Sequence, residues 1–167
     1  MLIAAELETD CAQHPVDVVE RLAAENDWSF DRDNEDEISI TVCGAWADYH
    51  VAFTWLADQE TLHVSCAFDF KPPQRRRADI AALIAAINEQ LWAGHFDFWP
   101  NEGLVMHRHG LLLAGGARPT GPQCAALLDN AIATCERFYQ AFQFVLWAGK
   151  PATEAIAFAT LETSGEA

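Results

Sequence analysis

The clearest pattern along the chain lies between residues 38 and 66. Ile38, Ile40 and Val42 alternate with Ser39, Thr41 and Cys43, a period of two that places alternate side chains on opposite faces of a strand. After Gly44-Ala45-Trp46-Ala47, which reads as a turn, Val51, Phe53 and Trp55 alternate in the same way. A two-residue turn at Asp58-Gln59 then pairs Trp55 with Leu62, Phe53 with Val64 and Val51 with Cys66, each apolar against apolar. The opposite face pairs Thr54 with His63, Ala52 with Ser65 and His50 with Ala67. Register and polarity agree, which predicts an antiparallel meander with one buried face.

On either side of the meander the period becomes helical. A helix begins at Pro15, where proline suits the first position, runs with the stripe Val18, Val19, Leu22 and Ala23, and ends at Asn26-Asp27. Trp28 and Phe30 predict a short strand, and the acidic run Asp31 to Glu37 a turn. Beyond Lys71-Pro72-Pro73, the residues Ile80, Leu83, Ile84, Ile87 and Leu91 make one stripe of a helix that Gly94 ends. Phe96 and Phe98 alternate in a short strand, Pro100 to Gly103 turns, and Leu104 to Leu113 is a longer strand ending at Gly115-Gly116. Thr120 can cap a long helix, with the seam Cys124, Leu128, Ala131, Cys135, Phe138, Phe142 and Val145, stopped by Gly149 and Pro151. That seam could form a coiled-coil contact, but packing on the chain's own sheet is the stronger expectation. Thr153 to about Leu161 predicts one more short helix.

The fold class that emerges is α+β: an antiparallel sheet, a three-stranded meander plus two further strands, packed against helices. Residues 1–12 are expected to be a flexible leader, 13–150 the domain, and 151–167 a short carboxy-terminal helix with a frayed tail.

Charge narrows the choice of partner. The 167 residues carry 25 acids against 10 bases, a net charge of −15, with the excess concentrated in the first 37 residues. Such a surface repels phosphate backbones and anionic lipid, so neither nucleic acid nor a membrane is the expected partner. Met1 to Glu6 lacks the basic start of a secretory signal, and the uncharged stretch Phe138 to Gly149 is too short to span a bilayer. Five cysteines without a CxxC pair read as free thiols, and the expected location is the cytoplasm.

Candidate chemistry is sparse. Gly116 to Gly121 has the spacing of a phosphate loop, but Pro122 stands where the lysine should be, leaving a turn that feeds a helix cap. His107 and His109 share a strand face as half of a metal site would, yet His50 and His63 sit on other strands, roughly 13 Å apart along the strand direction, and complete nothing. No Cys–His nucleophile has a local signature here. No catalytic, cofactor-binding or metal-binding residue is therefore assigned. The polar sheet face carries small residues, among them Ser39, Thr41, Ala52 and Thr54, which suit close contact with another element. Its members Thr41, His50, Thr54, His63 and Ser65, with the basic cluster Arg75, Arg76 and Arg77, form the candidate partner or dimer surface. Three arginines at a helix start oppose the helix dipole and gain nothing locally, which also admits pairing with acids of the same chain.

The stretch Ile87-Asn88-Glu89-Gln90-Leu91-Trp92-Ala93-Gly94-His95-Phe96-Asp97, followed by Gly103-Leu104-Val105-Met106-His107-Arg108, resembles the YbjN domain family, a family of bacterial sensory transduction regulators. Trp28-Ser29-Phe30 and Phe144 to Lys150 fit the same resemblance, which extends over about residues 13–150. The order of elements is similar to that of type III secretion chaperones, which are small, acidic, usually dimeric cytoplasmic proteins. The resemblance implies a chaperone-like fold and supplies no catalytic residues. The expected function is a non-catalytic, chaperone-like or regulatory module that holds a partner protein, with a homodimer as the expected state. The alternative is a small-molecule sensor with a pocket between sheet and long helix, lined by Phe, Trp and His. A metal-dependent enzyme comes third.

Overall fold

The alternating segment becomes the centre of a six-stranded sheet. The structure, a computed structural model, describes residues 13–164. Helix α1 (Pro15–Glu25) leads into β1 (Ser29–Asn34), β2 (Glu37–Cys43), β3 (Asp48–Leu56) and β4 (Thr61–Ala67). Helix α2 (Arg77–Asn88) precedes β5 (His95–Trp99) and β6 (Leu104–Leu112), and the chain closes with α3 (Gly121–Trp147) and α4 (Ala152–Ser164). The strands are antiparallel in the order β1-β2-β3-β4-β6-β5.

The meander register is the expected one: Val51 faces Cys66, Phe53 faces Val64 and Trp55 faces Leu62. The connection itself differs from a two-residue hairpin. Ala57–Gln59 form a single 3-10 turn and Glu60 adopts a left-handed conformation with φ 46°, which leaves the pairing beyond Leu56 and Thr61 unchanged.

Strand β1 and helix α2 also depart from expectation. β1 continues through Asp31 to Asn34, where a turn was expected, so the reversal shrinks to Glu35 and Asp36. Arg32 makes that extension tolerable, because it turns toward the helices and bonds Glu20 (2.6 Å) and Asp17 (3.1 Å) of α1. Helix α2 ends at Asn88 rather than near Gly94. The Asn88 side chain reaches across and satisfies both backbone groups of Phe96, accepting from its N–H (2.8 Å) and donating to its carbonyl (2.9 Å). Gly94 instead takes φ +73° where the chain passes His107, so closely that a Cβ would lie 2.5 Å from Nε2 of that ring.

The helices share one side of the sheet. α1 packs on β2 and β3, α3 on β3, β4 and β6, α2 on β5, and α4 lies behind against α2 and α3. All seven seam residues of α3 are buried in this core, so the helix packs on its own sheet. Thr120 and Gln123 form a reciprocal capping box at its start, which is what the Gly116–Gly121 segment serves. α4 extends beyond the short helix expected and buries Ala155 and Ala159. The core centres on Phe68, Phe70, Phe96, Phe138 and Phe142, whose ring centroids lie between 4.9 and 6.1 Å apart in successive contacts.

Candidate functional site: the open face of the sheet

With every helix on one side, the other face of the sheet has no cover among the described residues. The meander strands gather small side chains there because a strand alternates faces and their large apolar residues point into the core, while Trp99 and Leu112 remain exposed toward the β5–β6 side. One row across the sheet reads Asp31, Ser39, Ala52, Ser65, Arg108 and His95. A second reads Glu37, Thr54, His63 and Gly110. Six strands span roughly 24 Å, enough to seat two helices side by side.

Five of the eight residues expected at a partner surface meet on this face. Thr41 and His50 are hydrogen-bonded across β2 and β3, Oγ1 to Nδ1 at 3.0 Å. Thr54 and His63 are directly opposed, and Ser65 lies next in line along β4. The three arginines do not join them. Arg75 is exposed, Arg76 pairs with Asp79 at 3.3 Å and packs against Gly149, and Arg77 stacks on Phe98 and donates to the carbonyl of Pro100 at 3.2 Å. Arg76 thus sits just beyond the carboxy-terminal end of α3, where a cation is favoured by the helix dipole. Its gain comes from a helix distant in sequence, which local reading of the α2 start could not reveal.

Sequence reasoning missed the polar centre of the face. Arg108 donates from Nε to Nε2 of His63 at 3.1 Å and pairs with Asp97 at 3.0 Å, while the Trp99 indole donates to the same carboxylate oxygen at 3.0 Å. The guanidinium also lies over the Trp99 ring at 5.3 Å. Burial opposes ionisation of Asp97, but the bonds from Trp99 and Arg108 outweigh it and hold the carboxyl below its usual range. Burial, then Arg108 and His95, pushes His63 down, so its Nε2 is free to accept. The signal was the register itself, which sets Ser65 opposite Arg108 and Arg108 opposite His95. The face carries Asp31, Asp33 and Glu37 at its β1–β2 side and the paired Arg108 and Asp97 toward β5.

The remaining candidates lie elsewhere. His107 points into the core against Phe96, and His109 shares that side. Among the described residues no three His, Cys, Asp or Glu side chains are grouped to hold a metal ion. Thiol chemistry is suppressed: a hydrogen bond to Asp48 raises Cys43, burial pushes Cys124 up to about 11, and a hydrogen bond to Cys66 raises Cys135. Cys11 and the expected leader lie outside the described residues. Trp92 and Trp147 are fully and largely exposed, and Trp99 partly so. A cleft does open between sheet and long helix, but its aromatic member is Trp28, with neither Phe nor His in its lining.

The sequence model of the YbjN family, described as "Putative bacterial sensory transduction regulator", matches residues 15–144. Among solved structures, the fold is similar to the "Crystal structure of YbjN, a putative transcription regulator from E. coli", with a TM-score of 0.53 and 12% identity, over 72% of this chain and 85% of that one. No curated protein matches the chain. At that identity the structural likeness speaks for the fold alone, while the family match spans most of the domain. The chain therefore belongs to the YbjN family, whose description is regulatory and names no reaction.

Proposed function

We propose that this chain is a non-catalytic regulatory module of the bacterial cytoplasm that holds a partner protein, and pairs with a second copy of itself, through the open face of its sheet. One observation carries the reading: three helices, with α4 behind them, cover one side of a six-stranded sheet, and the other side carries Thr41, His50, Thr54, His63 and Ser65 without a covering helix among the described residues. Small side chains let a partner backbone approach closely, and a single exposed face on each copy suits a twofold pairing. The family description supports a regulatory role.

A photo-crosslinking side chain at Thr54, compared with one at the exposed Ala126 of α3, tests the reading in living cells. Adducts from Thr54 and none from Ala126 are expected. Light scattering on a sizing column should give twice the mass of one chain, reduced to one chain by Ala52→Arg. A monomer at every concentration, together with no adduct from Thr54, would refute the proposal.

A further inference from the structure

A cleft of about 540 Å³ opens where the start of β1 and the end of β2 face α3. Its wall is apolar: Trp28, Val42, Leu128, Ile132 and Ala133. The two consecutive turns of α3 present Leu128 and Ile132 together, because residues four apart share a helix face. Asp27, Asp129 and Ser29, with the β2 backbone at Thr41 and Cys43, complete the lining, and no lysine, arginine or histidine is part of it.

Two features make the cleft negative. Asp27 and Asp129 bring carboxylates from two different elements. The carboxy-terminal end of α1 lies beside it, since Asp27 (φ 54°) and Trp28 donate to the carbonyls of Ala24 and Ala23, and no basic residue occupies the last turn of α1. The volume falls in the range of small-molecule sites, and an apolar wall with a few convergent polar groups is their usual construction.

We infer that this cleft binds a small amphipathic ammonium compound, its apolar body on Trp28, Leu128 and Ile132 and its cationic head at Asp27 and Asp129. An anion would meet two carboxylates and no counter-charge. A purely apolar ligand would leave them without use. The cleft meets the open sheet face at Thr41, but the inference needs no partner seated on that face.

The full chain is titrated with 2-phenylethylammonium, with 2-phenylethanol as the neutral match and 3-phenylpropanoate as the anionic one. The readouts are the Trp28 indole N–H signal by NMR and the thermal midpoint. The ammonium compound should shift Trp28 saturably and raise the midpoint by about 3–6 °C at ten times its Kd. The alcohol should bind more weakly and the carboxylate not at all. Asp129 is exposed, and Asp129→Asn should weaken the ammonium compound by about two- to fivefold while leaving the alcohol unchanged. Ala133 is also exposed, so Ala133→Trp should fill the cleft and abolish the response without altering the ligand-free midpoint. Equal binding of alcohol and ammonium, no saturable Trp28 shift, or an undiminished response in Ala133→Trp would each overturn the inference.

Discussion

Acid should destabilise this protein through His107 more than through any other histidine. The ring is fully buried in β6, edge-on to Phe96 with centroids 5.5 Å apart, and neither ring nitrogen has a hydrogen-bond partner. Burial first, then the neighbouring His109 and His95, pushes its pKa from the ordinary 6.5 down to about 4. The unfolded chain therefore takes up a proton between those pH values that the folded chain refuses. For a base depressed in this way, the stability contribution is complete above pH 6.5 and is lost as pH falls toward 4. Linkage gives a loss of about 1.3 kcal/mol between pH 7.5 and 5.5, and about 2.5 kcal/mol by pH 4.5. His107→Leu, of similar volume, removes both the titrating site and the unpaired nitrogens, each of which costs about 1–3 kcal/mol when buried. The variant should be at least as stable as the natural chain at pH 7.5, and its advantage should grow by about 1.3 kcal/mol at pH 5.5. Urea unfolding followed by far-ultraviolet circular dichroism at several pH values measures this directly. Carboxylates common to both proteins cancel in the difference. A difference that stays flat from pH 7.5 to 4.5 would refute the reasoning.

Three other perturbations have definite expected outcomes. Asn88→Ala breaks both bonds to the Phe96 backbone and should cost about 2 kcal/mol in chemical unfolding, with faster hydrogen exchange at the Phe96 amide; normal protection there would sink the bridging role. Thr120→Ala removes one half of the capping box and should cost about 1 kcal/mol, whereas Thr120→Ser should cost less than half of that; equal losses would contradict a hydroxyl cap. Arg108→Leu takes a positive charge from beside His63, whose pKa should move upward in an NMR titration while burial still holds it below the ordinary value; an unchanged titration would show that burial acts alone.

Much of this architecture was legible in one dimension. The meander register followed from three apolar pairs, and the α3 seam predicted seven buried residues that are all buried. Pro15 and Thr120 marked helix starts because both act within one turn of the chain. The errors arose where a distant group overrode local composition. Asp31 to Asn34 looked like a turn from its acids, and became strand because Arg32 found Asp17 and Glu20 across the helix. The α2 stripe ran on to Leu91, but the Asn88 amide found Phe96 and the helix stopped there. Of the expected partner surface, the five residues on β2, β3 and β4 could be placed together because strand alternation sets a face. The arginines could not be placed, since their partners Gly149, Phe98 and Pro100 are remote in sequence.

The sequence by itself determined the order and type of the helices and strands, which face of most of them is apolar, and that the chain is strongly acidic. These are properties of local periodicity and of charge counting, and need no knowledge of neighbours. Only the tertiary structure decided that β6 inserts between β4 and β5, which brings Arg108 beside His63 and buries His107 against Phe96. It likewise decided that the helices share one side and that a cleft with two carboxylates opens against α3. The reason is that burial pattern says a face must be covered but not by what. That choice is made by contacts between segments far apart in the chain, whose loop-closure cost rises only slowly with separation and so scarcely marks the sequence between them.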